Sequence, residues 1–149
     1  MDSKHQWREE GASMRPERIS IVIDGELPSG LAINAAAVLA MTLGNRMEGV
    51  IGADVPDRDG LVHPGITTLN VPILRGSADL LRDLVLEAAK VDDIFATSFT
   101  SVAQAARAYG EYAAQLRDLG TADLTYVGVG LAGPTRAVNR LIGSLPLYR

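Results

Sequence analysis

Between Asp54 and Ile66 the chain reads DVPDRDGLVHPGI. Three carboxylates, an arginine and the one histidine beyond the N-terminal tail share this stretch. An imidazole titrates near neutrality, so His63 with Asp57 makes an acid/base pair, and His63 with Asp54 or Asp57 makes a pair of metal ligands. A calcium loop is excluded. With Gly60 at its sixth position, the first and twelfth positions fall on Val55 and Ile66, where the ion needs carboxylates. Asp59-Gly60 is a strong turn dipeptide, because aspartate bonds its own backbone and glycine accepts positive φ. The stretch therefore reads as a turn whose functional candidates are Asp57 and His63.

Other groups fall at the ends of expected strands. GVGLAG at 128–133 matches the dinucleotide fingerprint after a strand and before a helix. No acid follows Asp123, so the ribose partner of that fingerprint is missing. Its glycines are expected to allow a tight turn and close helix–sheet approach. An anion at the N-terminus of helix 134–142, beside Thr135 and Arg136, is the remaining ligand reading. In DGELPSGLAIN, Ser29 is expected to cap a helix. Asn34 is the polar side chain in the first turns of that helix, and either contacts ligand or bonds a neighbouring loop. In ATSFTSVAQ, Thr97, Ser98, Thr100 and Ser101 crowd a strand end, with Thr100 or Ser101 as a cap. No G-x-S-x-G elbow supports a serine nucleophile.

Open α/β sheets bind ligands beyond the carboxyl ends of their strands. The expected site is thus a small-molecule pocket at the end of the first strand. It would use Ser29, Asn34, the 54–63 loop, Thr97 and Thr100, with Arg136 on the separate anion site. If the pocket catalyses a reaction, Asp57 and His63 are its acid and base and Asn34 orients the substrate. Whether it does so is left open by the residues.

Alternating apolar runs supply the frame. Strands are expected at 18–24 (RISIVID), near 50–53, at 68–74, at 94–99 and at 124–133. Pro72 places the 68–74 strand at an edge or bulge. Helices are expected at 31–43, stopped by Gly44-Asn45, at 78–90 after the cap Ser77, at 101–119 and at 134–142. The helix at 31–43 is apolar nearly all round, so it must be covered on several sides. The alternation points to an α/β sandwich of about four strands with helices on both faces.

Residues 1–17 are polar and aperiodic and read as a flexible tail, with Met14 as a candidate start and 18–149 as one domain. His5 and Trp7 in this tail are read as part of an unstructured extension. The chain has 149 residues, 47% hydrophobic and 21% charged, which is ordinary for a globular domain with its own core. A net charge of −4 disfavours nucleic acid as a partner. The absence of cysteine excludes disulfides and thiolate chemistry. No apolar run reaches membrane-spanning length, and the N-terminus lacks a signal-like apolar stretch. A cytoplasmic protein without cofactor or bound metal is expected.

Two groups of motifs carry a family resemblance. YVGVGLAGPTRAVNRLIGSLPLY and RISIVIDGELPSGLAINAAA are similar to the two ends of type II peptidyl-tRNA hydrolases. GADVPDRDGLVHPGI, VPILRG and YGEY resemble an uncharacterised bacterial domain family of unknown function that shares this fold. The resemblance covers nearly everything after residue 17. It implies a three-layer α/β/α fold, a mixed four-stranded sheet with one antiparallel strand, and a homodimer. The hydrolases carry lysines where this chain has Pro28, Ser29, Gly30 and Leu31. They carry a histidine where Ala40 falls, and an acid with a nearby arginine where SFTSVAQAAR stands. Phosphate-rich tRNA ends need cations, so peptidyl-tRNA hydrolysis is not expected. A non-catalytic dimer or interaction module is the further alternative. It predicts an exposed apolar patch and no polar-lined cavity.

Overall fold

The computed structural model describes residues 15–149; His5, Trp7 and the rest of 1–14 lie outside the described residues. Eight-residue and seven-residue strands run through the middle of the fold. Strand β1 (Arg18–Asp24) is flanked by β6 (Tyr126–Gly133), antiparallel to it, and by β4 (Ile73–Gly76), parallel to it. Strand β5 (Phe95–Thr100) pairs antiparallel with the far side of β6, giving the order β4-β1-β6-β5. Only β6 runs against the other three.

Alternation within β1 divides the core. Ile19, Ile21 and Ile23 pack on one face with α1 (Ser29–Arg46). Val22 packs on the other with α2 (Ala78–Ala88) and α5 (Thr135–Ile142). Both faces are covered, so the strand reads as a continuous β-branched run rather than an alternating one. Helices on both sides of a mixed sheet make a three-layer α/β/α sandwich.

Several elements depart from their expected bounds. The strand expected at 68–74 begins only at Ile73, because Pro72 has no N–H; its carbonyl accepts from Ile21 N at 3.1 Å instead. The outer edge of β4 is covered by the C-terminal segment, where Tyr148 N donates to Ile73 O at 2.8 Å and Arg75 N to Pro146 O at 2.9 Å. The single helix expected at 101–119 is two, α3 (Ser101–Ala105) and α4 (Tyr109–Arg117). Ala106 turns extended between them, and the Glu111 carboxylate accepts the Arg107 backbone N–H at 3.2 Å, which starts the second helix afresh. Neither helix buries a residue fully, and Tyr109 is exposed. A strand near 50–53 is reduced to one bridge between Ile51 and Thr67.

Gly44 and Asn45 do not stop α1, which continues to Arg46. One face, Ala32, Ala35, Leu39 and Leu43, is buried on the sheet. GVGLAG lies wholly inside the buried strand β6 and makes no phosphate-binding turn. A Cβ built on Gly128 would stand 2.8 Å from Leu39 Cδ1, and one on Gly130 would stand 2.9 Å from Leu43 Cδ1. The glycines are spaces into which α1 seats its two leucines.

Candidate functional site

The 50–68 segment folds into an antiparallel ribbon. Gly52 N donates to Ile66 O at 2.9 Å and Thr68 N to Val50 O at 2.7 Å. Beyond them β2 (Val55–Pro56) pairs with β3 (Val62–His63). Between the two sections the strands pinch together: a Cβ on Gly65 would lie 1.8 Å from Gly52 O. Asp54 secures the pinch by accepting Gly65 N at 2.9 Å.

The tip of the ribbon brings Asp57 and His63 together. Asp57 Oδ2 accepts from His63 Nε2 at 3.0 Å, while Oδ1 accepts Asp59 N at 2.9 Å and Leu61 N at 3.1 Å. Gly60 takes the positive φ of 90° that the turn requires. The His63 bond holds the Asp57 carboxyl below its usual range; reduced hydration opposes this, and the Leu61, Asp59 and Gly60 backbone bonds add to it. Oδ1 thus serves the turn, and Oδ2 ties the turn to His63 on β3. Both side chains are solvent-exposed. No cluster of three metal-ligating side chains occurs among the described residues.

The remaining candidates are scattered. Pro28, not Ser29, occupies the N-cap of α1, and no side chain caps that helix; Ser29 is its first residue and exposed. Asn34 is exposed on the outer side of α1, where water can satisfy its amide, rather than buried against a loop. Thr100 is buried and caps α3, its Oγ1 accepting Ala103 N at 3.2 Å. Thr97 lies further back along β5, its Cγ2 beneath Gly130 and Leu43, near the C-terminal half of α1. Arg136 is exposed on α5, which packs on the sheet face opposite α1. The 54–63 loop leaves the C-terminal end of α1, whereas Ser29 and Asn34 are at its N-terminal end.

A cleft of ≈ 340 Å³ opens between α1 and the base of the ribbon. It is lined by Ile19, Ala40, Leu43, Gly44, Val50, Ile51, Ile66, Thr67 and Val71, and by none of the candidates above. Its polar side chain, Thr67, is already engaged, donating to Leu69 O at 2.9 Å. Beside the cleft runs the outer face of α1. From Leu27 to Asn45 the chain carries no charge. Ile33 is 70% exposed and Met41 78% exposed, with Ala37, Ala40 and Gly44 open between and beyond them. Ile66, 80% exposed, stands at the ribbon base. The expectation that this helix is covered on several sides fails for the isolated chain: the sheet covers one side. Of the site residues expected from polar motifs, only Asn34 falls on the surface that stands out in space. Its signal in the sequence was the long uncharged run of Leu27–Asn45.

The architecture defines a three-layer α/β/α domain with a mixed four-stranded sheet. Residues 17–149 match the family described as a protein of unknown function (DUF2000), and the chain belongs to that family. The fold is also similar to that of the protein of unknown function Atu0240 from Agrobacterium tumefaciens strain C58. The TM-score is 0.82 at 14% identity, covering 89% of this chain and 97% of that chain. A likeness at that identity shows the fold alone. No curated protein matches the chain. Among the described residues, no helix is long and apolar enough to cross a membrane.

Proposed function

We propose that this chain is a non-catalytic interaction module that docks a partner on the outer face of α1. One observation carries the reading: the helix Ser29–Arg46, uncharged as far as Asn45, leaves Ile33, Ala37, Ala40 and Met41 open to water. A helix on the surface of a domain ordinarily turns charged residues outward, and one that is apolar all round is ordinarily buried. A contiguous exposed apolar patch marks an interaction site. The enzymatic readings draw less support. Asp57 and His63 meet on an exposed tip outside the cleft, with the carboxylate committed to the turn. Peptidyl-tRNA hydrolysis would need cations, and none falls between Arg18 and Arg46.

A photo-crosslinking amino acid placed at Met41, with Arg82 on α2 as control position, tests the reading in cells that express the chain. Adducts with protein at position 41 and none at position 82 are expected. Equal or absent adducts would remove the docking face.

The cleft supports a second reading, a site for a small apolar molecule, because its size reaches the lower range of ligand pockets. A rise in melting temperature with straight-chain alkyl or aryl acids, lost in Ile66→Asp, is its expected outcome. No rise across the series would exclude these ligands.

A further inference from the structure

The chain enters the described fold beside the apolar cleft. Pro16 is buried, and Glu17 N donates to Gly133 O at 3.1 Å, so the entry is pinned just ahead of β1. One residue earlier, the Arg15 side chain lies against Gly49: a Cβ built on that glycine would stand 2.6 Å from Arg15 Nε. Gly49 directly precedes Val50, which lines the cleft. Val50 and Ile19, another lining residue, pack in the same half of the core as α1. The entry is therefore on the cleft's side of the sheet, not on the side of α2 and α5.

We infer that residues 1–14, MDSKHQWREEGASM, fold back over the ribbon base and seat Trp7 in this cleft. The place of entry gives the segment its reach. Trp7 precedes Arg15 by eight residues, and an extended chain spans at most ~3.3–3.6 Å per residue, or roughly 26–29 Å over that length. The cleft begins at the neighbour of the glycine that Arg15 touches, well inside this limit.

Chemistry names the side chain. The lining is apolar, and its one hydroxyl, on Thr67, is already bonded to Leu69. Trp7 is the only aromatic residue of the segment and the only tryptophan of the chain. An indole buries about 150–250 Å² of surface, and a cleft of ≈ 340 Å³ suits one ring system better than a helix. The charges that follow it, Arg8, Glu9 and Glu10, can stay in water at the mouth. Tethering favours this occupant over a free one. A segment of the same chain competes at an effective concentration in the millimolar range. Ala40 and Gly44 belong both to the cleft and to the outer face of α1. A seated Trp7 thus covers the C-terminal end of that face, and a small apolar molecule must displace it to enter. The inference concerns the cleft and stands whether or not a partner docks on α1.

Trp7 reports its own surroundings, because no other tryptophan emits. Its fluorescence in the full chain should lie to the blue of that of a peptide of residues 1–14, and acrylamide should quench it several-fold less. Ile66 lines the cleft yet is largely exposed, so Ile66→Asp spares the core. That variant should return the emission to the peptide's position with unchanged circular dichroism, whereas Arg82→Asp on α2 should leave it blue. The blue emission should persist on dilution, as a contact within one chain does. Emission and quenching in the full chain equal to the peptide's would overturn the inference. Blue emission unmoved by Ile66→Asp would overturn it too, by placing the indole elsewhere. Blue emission lost on dilution would place it on another molecule, with the same consequence.

Discussion

Leu39 occupies the space that a side chain on Gly128 would take: a Cβ there falls 2.8 Å from Leu39 Cδ1 and 2.9 Å from Ile23 Cδ1. Leu39 and Ile23 are fully buried, so neither can swing aside freely. Gly128→Ala therefore overpacks the contact between α1 and the sheet. A loss of about 1–3 kcal/mol is expected by chemical denaturation, and an unchanged midpoint would show that α1 shifts without cost.

Caps separate two hydroxyl residues that look alike in the sequence. Thr100 Oγ1 accepts Ala103 N, whereas Ser29 caps nothing. Thr100→Ala should lose about 0.5–2 kcal/mol of stability. Ser29→Ala should stay within about 0.5 kcal/mol, as exposed substitutions do. Equal effects of the two in urea titration would reject the assignment.

At the ribbon tip the prediction is one of pH. The Asp57 carboxyl is held below the usual carboxylate range in the folded chain, first by His63. The unfolded chain then binds the proton more readily. The contribution of this group to stability is full above the unfolded value and disappears as pH falls through the lower folded value. Carbon-detected NMR titration should place the Asp57 midpoint below the usual aspartate range in the wild type and higher in His63→Ala. An unmoved midpoint in that variant would deny the bond.

The pinch below the tip should be sensitive to a single methyl group. Gly65→Ala drives a Cβ into the Gly52 carbonyl, at 1.8 Å. The Asp54–Gly65 bond should break and the ribbon amides should lose exchange protection, while the sheet keeps its own. Unaltered protection at Gly52 and Thr68 would contradict the pinch.

Much of this fold could be read from local patterns. RISIVID gave β1 its bounds because both faces of that strand are buried, and ADLLRDLVLEA gave α2 because a clean apolar stripe follows the cap Ser77. The break at Ala106 was not legible. Alanines suit a helix, and the Glu111–Arg107 bond that restarts the chain is one contact among many that sequence spacing permits. Likewise TLNVPIL has strand composition, yet only Ile73 and Leu74 of it pair in the sheet, since Pro72 offers no donor.

The candidate site was less legible for a physical reason. Polar side chains draw attention as potential chemistry, but Asp57, Thr100 and Asp54 are spent on holding turns and caps. Asn34 suggested burial because its neighbours are apolar, although those neighbours are themselves exposed. What the composition of α1 did reveal was its need for cover. The direction of that need could be fixed only once Ala32, Ala35, Leu39 and Leu43 were seen against the sheet.

Photo-crosslinking from Met41, with and without Ile33→Glu, tests the central claim most directly. Adducts with protein at position 41 should form in the otherwise unaltered chain and disappear in Ile33→Glu, with the same circular dichroism for both. A charge buried against a partner without a counterpart would break the contact, whereas on a free surface it would do nothing. Adducts undiminished by Ile33→Glu, or absent from both, would contradict the assignment of α1 as the docking face.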